Sequence, residues 1–151
     1  MRGYLAHTVT IQLHPRIQQF LRAFIDLRNI MILYKQLRWG VGDPGAVIEG
    51  GMFELSRLVQ LVKNKELNSW EDLVREATAL KIVPASASEG ALETVLLTSL
   101  TERLRQIGRG EDGVGLILDY IWRIYVHARN LAVLYHAPDL GEATLERELI
   151  V

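Results

Sequence analysis

The chain of 151 residues contains no cysteine. A disulfide framework, a zinc ribbon, an iron–sulfur site and a thiol nucleophile are excluded together, and the reducing cytoplasm is the expected compartment. Only four prolines occur, at Pro15, Pro44, Pro84 and Pro138, each at an expected helix start, linker or helix end. Charge of one sign is not in excess either: 17 basic side chains face 18 acidic ones, a net of −1 at pH 7. Long apolar runs are missing. A membrane span needs about 20 consecutive, mostly apolar residues. The longest uncharged stretch in a helical region, 130–138, is nine residues long and includes His136. Met1–Pro15 lacks the apolar block of a secretory signal. The expectation is a chain that works at a membrane, if at all, from the water side.

What is present describes a folded globular body. Apolar residues make up 49% and charged residues 23%, too apolar and too nearly neutral for a disordered chain. Charge is nonetheless uneven. Residues 1–40 carry six bases (Arg2, Arg16, Arg22, Arg28, Lys35, Arg38) against Asp26 alone, whereas residues 111–151 carry three bases against seven acids. Such asymmetry can mark an anionic partner or protein neighbours that differ from end to end. No aromatic stripe stands among the arginines to stack bases, so nucleic acid is not expected as a partner.

Apolar spacing predicts helices throughout. Tyr4–Leu13 alternates with period two but has no second strand to pair with, so residues 1–15 read as a lead-in arm, or as a helix start that propensity disguises. Ile17, Phe20, Leu21, Phe24, Leu27, Met31 and Tyr34 recur at steps of three and four, giving a long helix from Ile17 to Trp39 that Gly40 stops. Asp43-Pro44 signals a short helix to Glu49, and Gly50-Gly51 breaks it. Met52–Lys63 reads as a further helix. Ser69-Trp70-Glu71-Asp72 resembles a capping box opening another. Pro84-Ala-Ser-Ala-Ser is a small-residue linker. Ser88 caps a helix through Leu92, Leu96, Leu100 and Leu104 to Gly108, Val114–His136 is the second strong helix, and Glu142–Val151 a closing one. The expected class is all-α: a multi-helix bundle over residues 16–151, in two related units of about 16–83 and 84–151.

The two strong helices match each other. Phe24–Gly40 laid on Tyr125–Gly141, a shift of 101 residues, gives identities at Arg28/Arg129, Asn29/Asn130, Leu33/Leu134, Tyr34/Tyr135 and Gly40/Gly141. Chance gives about one identity over such a length. One supersecondary unit is used twice. A polar line crosses each copy: Arg22, Asp26 and Asn29 in the first, Asp119, Arg123, His127 and Asn130 in the second. Their spacing puts each set on one face, as a solvated stripe or an interhelical hydrogen-bond network. Arg28 and Arg129, one residue earlier, sit where they can reach carbonyls at a neighbouring helix end. A mid-helix Asn lowers helix propensity, so a tertiary bond is expected to compensate.

Phe20-Leu-Arg-Ala-Phe-Ile-Asp-Leu-Arg-Asn-Ile-Met-Ile-Leu and Leu118-Asp-Tyr-Ile-Trp-Arg-Ile-Tyr-Val-His-Ala-Arg-Asn-Leu-Ala-Val-Leu resemble the C subunit of bacterial and archaeal V/A-type rotary ATPases, whose eukaryotic counterpart is subunit d. The resemblance covers nearly all of Ile17–Val151. It departs from the family in three ways. Family members are much longer, with three similar bundles, so this chain looks like their C-terminal part. His127 stands where the family usually has an acid, and the linkers are short. The resemblance implies a non-catalytic socket that couples the central rotor shaft to the membrane proteolipid ring during proton or sodium transport. It would be peripheral on the cytoplasmic face, bound through the shaft subunits and the ring. The alternative is a stand-alone helical adaptor or regulator without a rotor role.

Catalytic chemistry is not indicated. His7, His14, His127 and His136 have no partner at metal-ligand spacing, and no H-E-x-x-H occurs. No P-loop is present. The glycines of 108–115 follow no strand and precede no lysine, so they read as a helix–helix turn. Glu71-Asp72 reads as an N-terminal dipole partner before an acid/base pair. Neither an enzyme activity nor a cofactor nor a metal is expected. The structural or interface candidates are Arg28, Asn29, Trp39, Asp119, Arg123, His127, Arg129 and Asn130. Trp39, beside Gly40, is the best candidate for partner contact.

Overall fold

In the computed structural model, residues 13–40, 46–64, 67–78, 88–110, 112–136, 141, 145, 149 and 150 are described. The fold is all-α; no strand occurs among the described residues. Five helices are placed: α1 (Pro15–Trp39), α2 (Leu55–Asn64), α3 (Leu67–Ala77), α4 (Glu89–Gly108) and α5 (Gly113–His136). The chain divides into two compact units, Met1–Ala87 and Ser88–Val151.

In the first unit α1 starts where Pro15, with no N–H to waste, occupies the first turn and the His14 ring accepts from Arg16 N–H at 3.3 Å. It ends at Gly40, whose left-handed backbone (φ 62°) lets its N–H close on Gln36 O. α2 and α3 both pack on α1. Ile25, Ile30 and Leu33 of α1, Leu58 of α2, and Trp70, Leu73 and Val74 of α3 are almost wholly buried. Each such aliphatic side chain contributes roughly 2 kcal/mol by leaving water.

In the second unit Ser88 Oγ accepts from Ala91 N–H at 3.1 Å and caps α4, as its sequence signals. The two helices run antiparallel. Their contacts pass from Ile107 with Gly115, through Thr101 with Trp122, to Glu93 with Arg129. Trp122 Nε1 donates to Thr101 Oγ1 at 2.8 Å, and that hydroxyl donates to Leu97 O. The indole N–H is thus satisfied inside an apolar interface. Gly115 provides the close approach: a Cβ there would stand 2.8 Å from both Ile107 Cγ2 and Ile107 O.

Several local expectations give way to tertiary contacts. Val47 and Ile48 are not helical, because Ile48 gives both its backbone groups to a side chain of α1. The helix expected from Met52 starts at Leu55, and Met52 and Phe53 before it donate their N–H groups to Asp26 of α1. α3 begins at Leu67, so Ser69 lies inside it and opens nothing. Glu71 and Asp72 stand beyond its first turn, and Asp72 pairs with Arg75 at 3.3 Å. Of the closing segment, Leu145 N–H and Leu149 N–H bond to the carbonyls four residues earlier, while Ile150 is non-helical. The alternating arm up to residue 12, Asp43-Pro44, 84–87 of the linker and Pro138 lie outside the described residues.

Candidate functional site

The repeated asparagines do the same thing in both units. Asn29, buried at mid-helix on α1, donates from Nδ2 to Ile48 O and accepts from Ile48 N–H at Oδ1, each at 2.8 Å. Asn130 on α5 donates to Ile150 O at 2.8 Å and accepts from Ile150 N–H at 3.2 Å. A carboxamide has one acceptor and one donor side by side, the complement of one residue's N–H and C=O in extended chain. Each helix therefore clamps the backbone that returns to it 19 or 20 residues later. The polar lines are neither solvated stripes nor interhelical networks at these positions; they hold irregular backbone. This is the tertiary bond that a mid-helix Asn needs.

Asp26, one turn before Asn29, adds a second hold in the first unit. Its Oδ2 accepts from Met52 N–H at 2.8 Å and its Oδ1 from Phe53 N–H at 3.3 Å. Gly51 is forced by this approach: a Cβ there would overlap the carboxylate. Burial raises the Asp26 pKa above its ordinary value of 3.8, Glu76 adds a smaller push upward, and the two backbone N–H bonds pull it down. At the matching position of α5, His127 is exposed. The departure from an acid thus falls at a place where the second unit makes no such buried hold among the described residues.

The other singled-out residues separate. Arg28 is half-buried on α1. Arg129 reaches Glu93 of α4 at 3.5 Å, a pair open to water on its acidic side. Asp119 is buried and accepts from exposed Arg123 at 2.6 Å, and its second oxygen has no partner among the described residues. Trp39 is 48% exposed at the end of α1, edge-on to Tyr34 at 5.5 Å, with Arg38 over both rings and bonded to the Tyr34 hydroxyl. Trp70 and Trp122 are core residues. Asp119 and Arg123 meet in that ion pair, whereas His127 is exposed and has no bond to either among the described residues.

Sequence reasoning missed Ile48, Ile150, Gly51 and the Thr101–Trp122 bond. The first two were legible only as apolar residues at nearly equal distances behind a repeated Asn. No group of metal-ligating side chains occurs among the described residues, and no described helix is long and apolar enough to cross a membrane. What the geometry offers is two braced helices, one with an exposed Trp–Arg end, and no convergent reactive groups among the described residues.

Comparison with known proteins gives one match. The family model described as ATP synthase (C/AC39) subunit aligns with residues 2–141. No curated protein and no solved structure matches the chain.

Proposed function

The chain belongs to the ATP synthase (C/AC39) subunit family, and from that premise we propose that it is a non-catalytic subunit of a V/A-type rotary ATPase. It sits on the cytoplasmic face, peripheral to the membrane, and couples the central rotor shaft to the proteolipid ring during proton or sodium transport. The family match over 2–141 is the observation that carries this reading. The architecture supports it physically. Passing torque requires a body that does not yield, and close-packed interiors have low compressibility. The Asn clamps tie long helices to the segments that follow them, where a simple loop would leave slack. Trp39 with Arg38 supplies the residue types enriched where protein surfaces meet.

The test is assembly. Tagged chain, expressed with the shaft subunits and the ring of its own rotary ATPase, is expected to co-purify with both. Recovery as a monomer that ignores shaft and ring would overturn the reading in favour of a free-standing helical adaptor.

A further inference from the structure

Between the two holds on α1 lies a hinge. Ile48 is fixed by Asn29 through both of its backbone groups, and neither partner titrates. Met52 and Phe53 are held by the Asp26 carboxylate, one N–H to each oxygen. The chain between these holds passes through Gly50 and Gly51. Gly50 stands at φ 99°, a left-handed backbone that glycine adopts without strain and can leave as readily. The stretch can therefore swing on its Asn29 anchor when its far end is let go.

An ionised carboxylate only accepts, whereas a carboxylic acid turns one oxygen into an O–H donor. Here that donor would meet a backbone N–H, a donor too, so one of the two bonds must give way. The Phe53 bond, at 3.3 Å against 2.8 Å for Met52, is the weaker. We infer that Asp26 is a proton-operated latch: ionised, it holds Met52 and Phe53 on α1, and protonated, it lets go of Phe53 N–H and loosens the stretch from Gly50 about the Asn29–Ile48 anchor.

The surroundings favour the proton. Burial is the largest influence and raises the Asp26 pKa above 3.8; the two N–H bonds lower it, and Glu76 of α3 raises it. Arg57 of α2 pairs with Glu76 at 3.1 Å and lies over the Phe53 ring, which offsets part of the Glu76 charge. Arg22, one turn back on α1, and Glu49 and Glu54, near the ends of the stretch, are exposed to water. Protonation removes a buried charge as it breaks a bond, so the release stays local and the fold survives it. The latch goes beyond the coupling role and does not depend on it.

An NMR titration of the full chain, from about pH 7 to about pH 3, reads the latch at the backbone amides. The Met52 and Phe53 protons are expected to shift with one shared midpoint above 3.8 while the Ile48 proton stays in place. Below the midpoint, solvent exchange at Phe53, corrected for its intrinsic pH dependence, is expected to rise at least about tenfold. Asp26→Asn is expected to abolish the transition. Two surface variants leave Asp26 and its bonds intact: Glu76→Gln is expected to lower the midpoint, and Arg57→Gln to raise it, each by a few tenths of a pH unit. A midpoint indifferent to both variants overturns the inference. So does a shift at Met52 and Phe53 without a gain in exchange at Phe53, or a transition that Ile48 follows equally.

Discussion

At the scale of single residues, a carboxamide and a carboxylate on α1 replace what a longer sheet or loop network would otherwise provide. Removing Asn29 leaves the Ile48 N–H and C=O buried and unpaired. Each such group costs about 1–3 kcal/mol, so Asn29→Ala is expected to destabilise the first unit by roughly 2–4 kcal/mol in urea unfolding. Asn130→Ala is expected to cost less, about 1–2 kcal/mol, because its clamp is only part-buried. Equal and negligible losses would contradict the clamp. Asp26 predicts a pH dependence. Its folded pKa is raised, so the fold binds the proton more tightly than the unfolded chain does. The stability it contributes is full below the ordinary carboxylate pKa and is lost as pH rises through the raised value. Between pH 4 and pH 7 the parent is therefore expected to lose stability relative to Asp26→Asn; parallel curves would show that Asp26 does not titrate in this way. The importance of both Asn residues was legible from the repeat. Their partners were not, because the bonded groups are backbone atoms 19 and 20 residues away, and backbone carries no sequence signature.

At the scale of elements, periodicity located α1, α4 and α5 to within a few residues, because each is long enough for three or more turns of pattern. Short elements were less legible. The Asp43-Pro44 signal pointed to a helix reaching Glu49, but tertiary bonding of Ile48 outweighs a local preference worth only tenths of a kcal/mol per residue. Packing of α5 on α4 hinges on Gly115, which sequence reading took for part of a turn. Gly115→Ala forces a methyl against Ile107 O, a backbone atom that cannot swing aside. The helices must separate, and a loss of roughly 1–3 kcal/mol is expected in the thermal or urea unfolding of the second unit. Gly113→Ala, where a Cβ meets open space, is the control expected to change little. A similar response from both would mean that the helices are not held at this spacing.

At the scale of the whole molecule, one device occurs twice: a long helix, an Asn inside it, and a returning segment gripped by its backbone. The duplication is visible as matched residues in the sequence, and the two clamps give it a physical meaning. The units differ in what surrounds the device, with α1 covered by α2 and α3 and much of α5 open. That difference could not be read from the aligned residues, since Ile30 and Leu131 are near-equivalent in sequence and opposite in burial. The coupling role proposed for the chain depends on both helices being held along their length rather than at their ends. Residue-resolved amide hydrogen exchange at Ile48 and Ile150 measures that hold most directly. The account predicts slow exchange at both, with Ile48 alone released by Asn29→Ala and Ile150 alone by Asn130→Ala. Exchange at the rate of free chain at either position in the parent protein would contradict it.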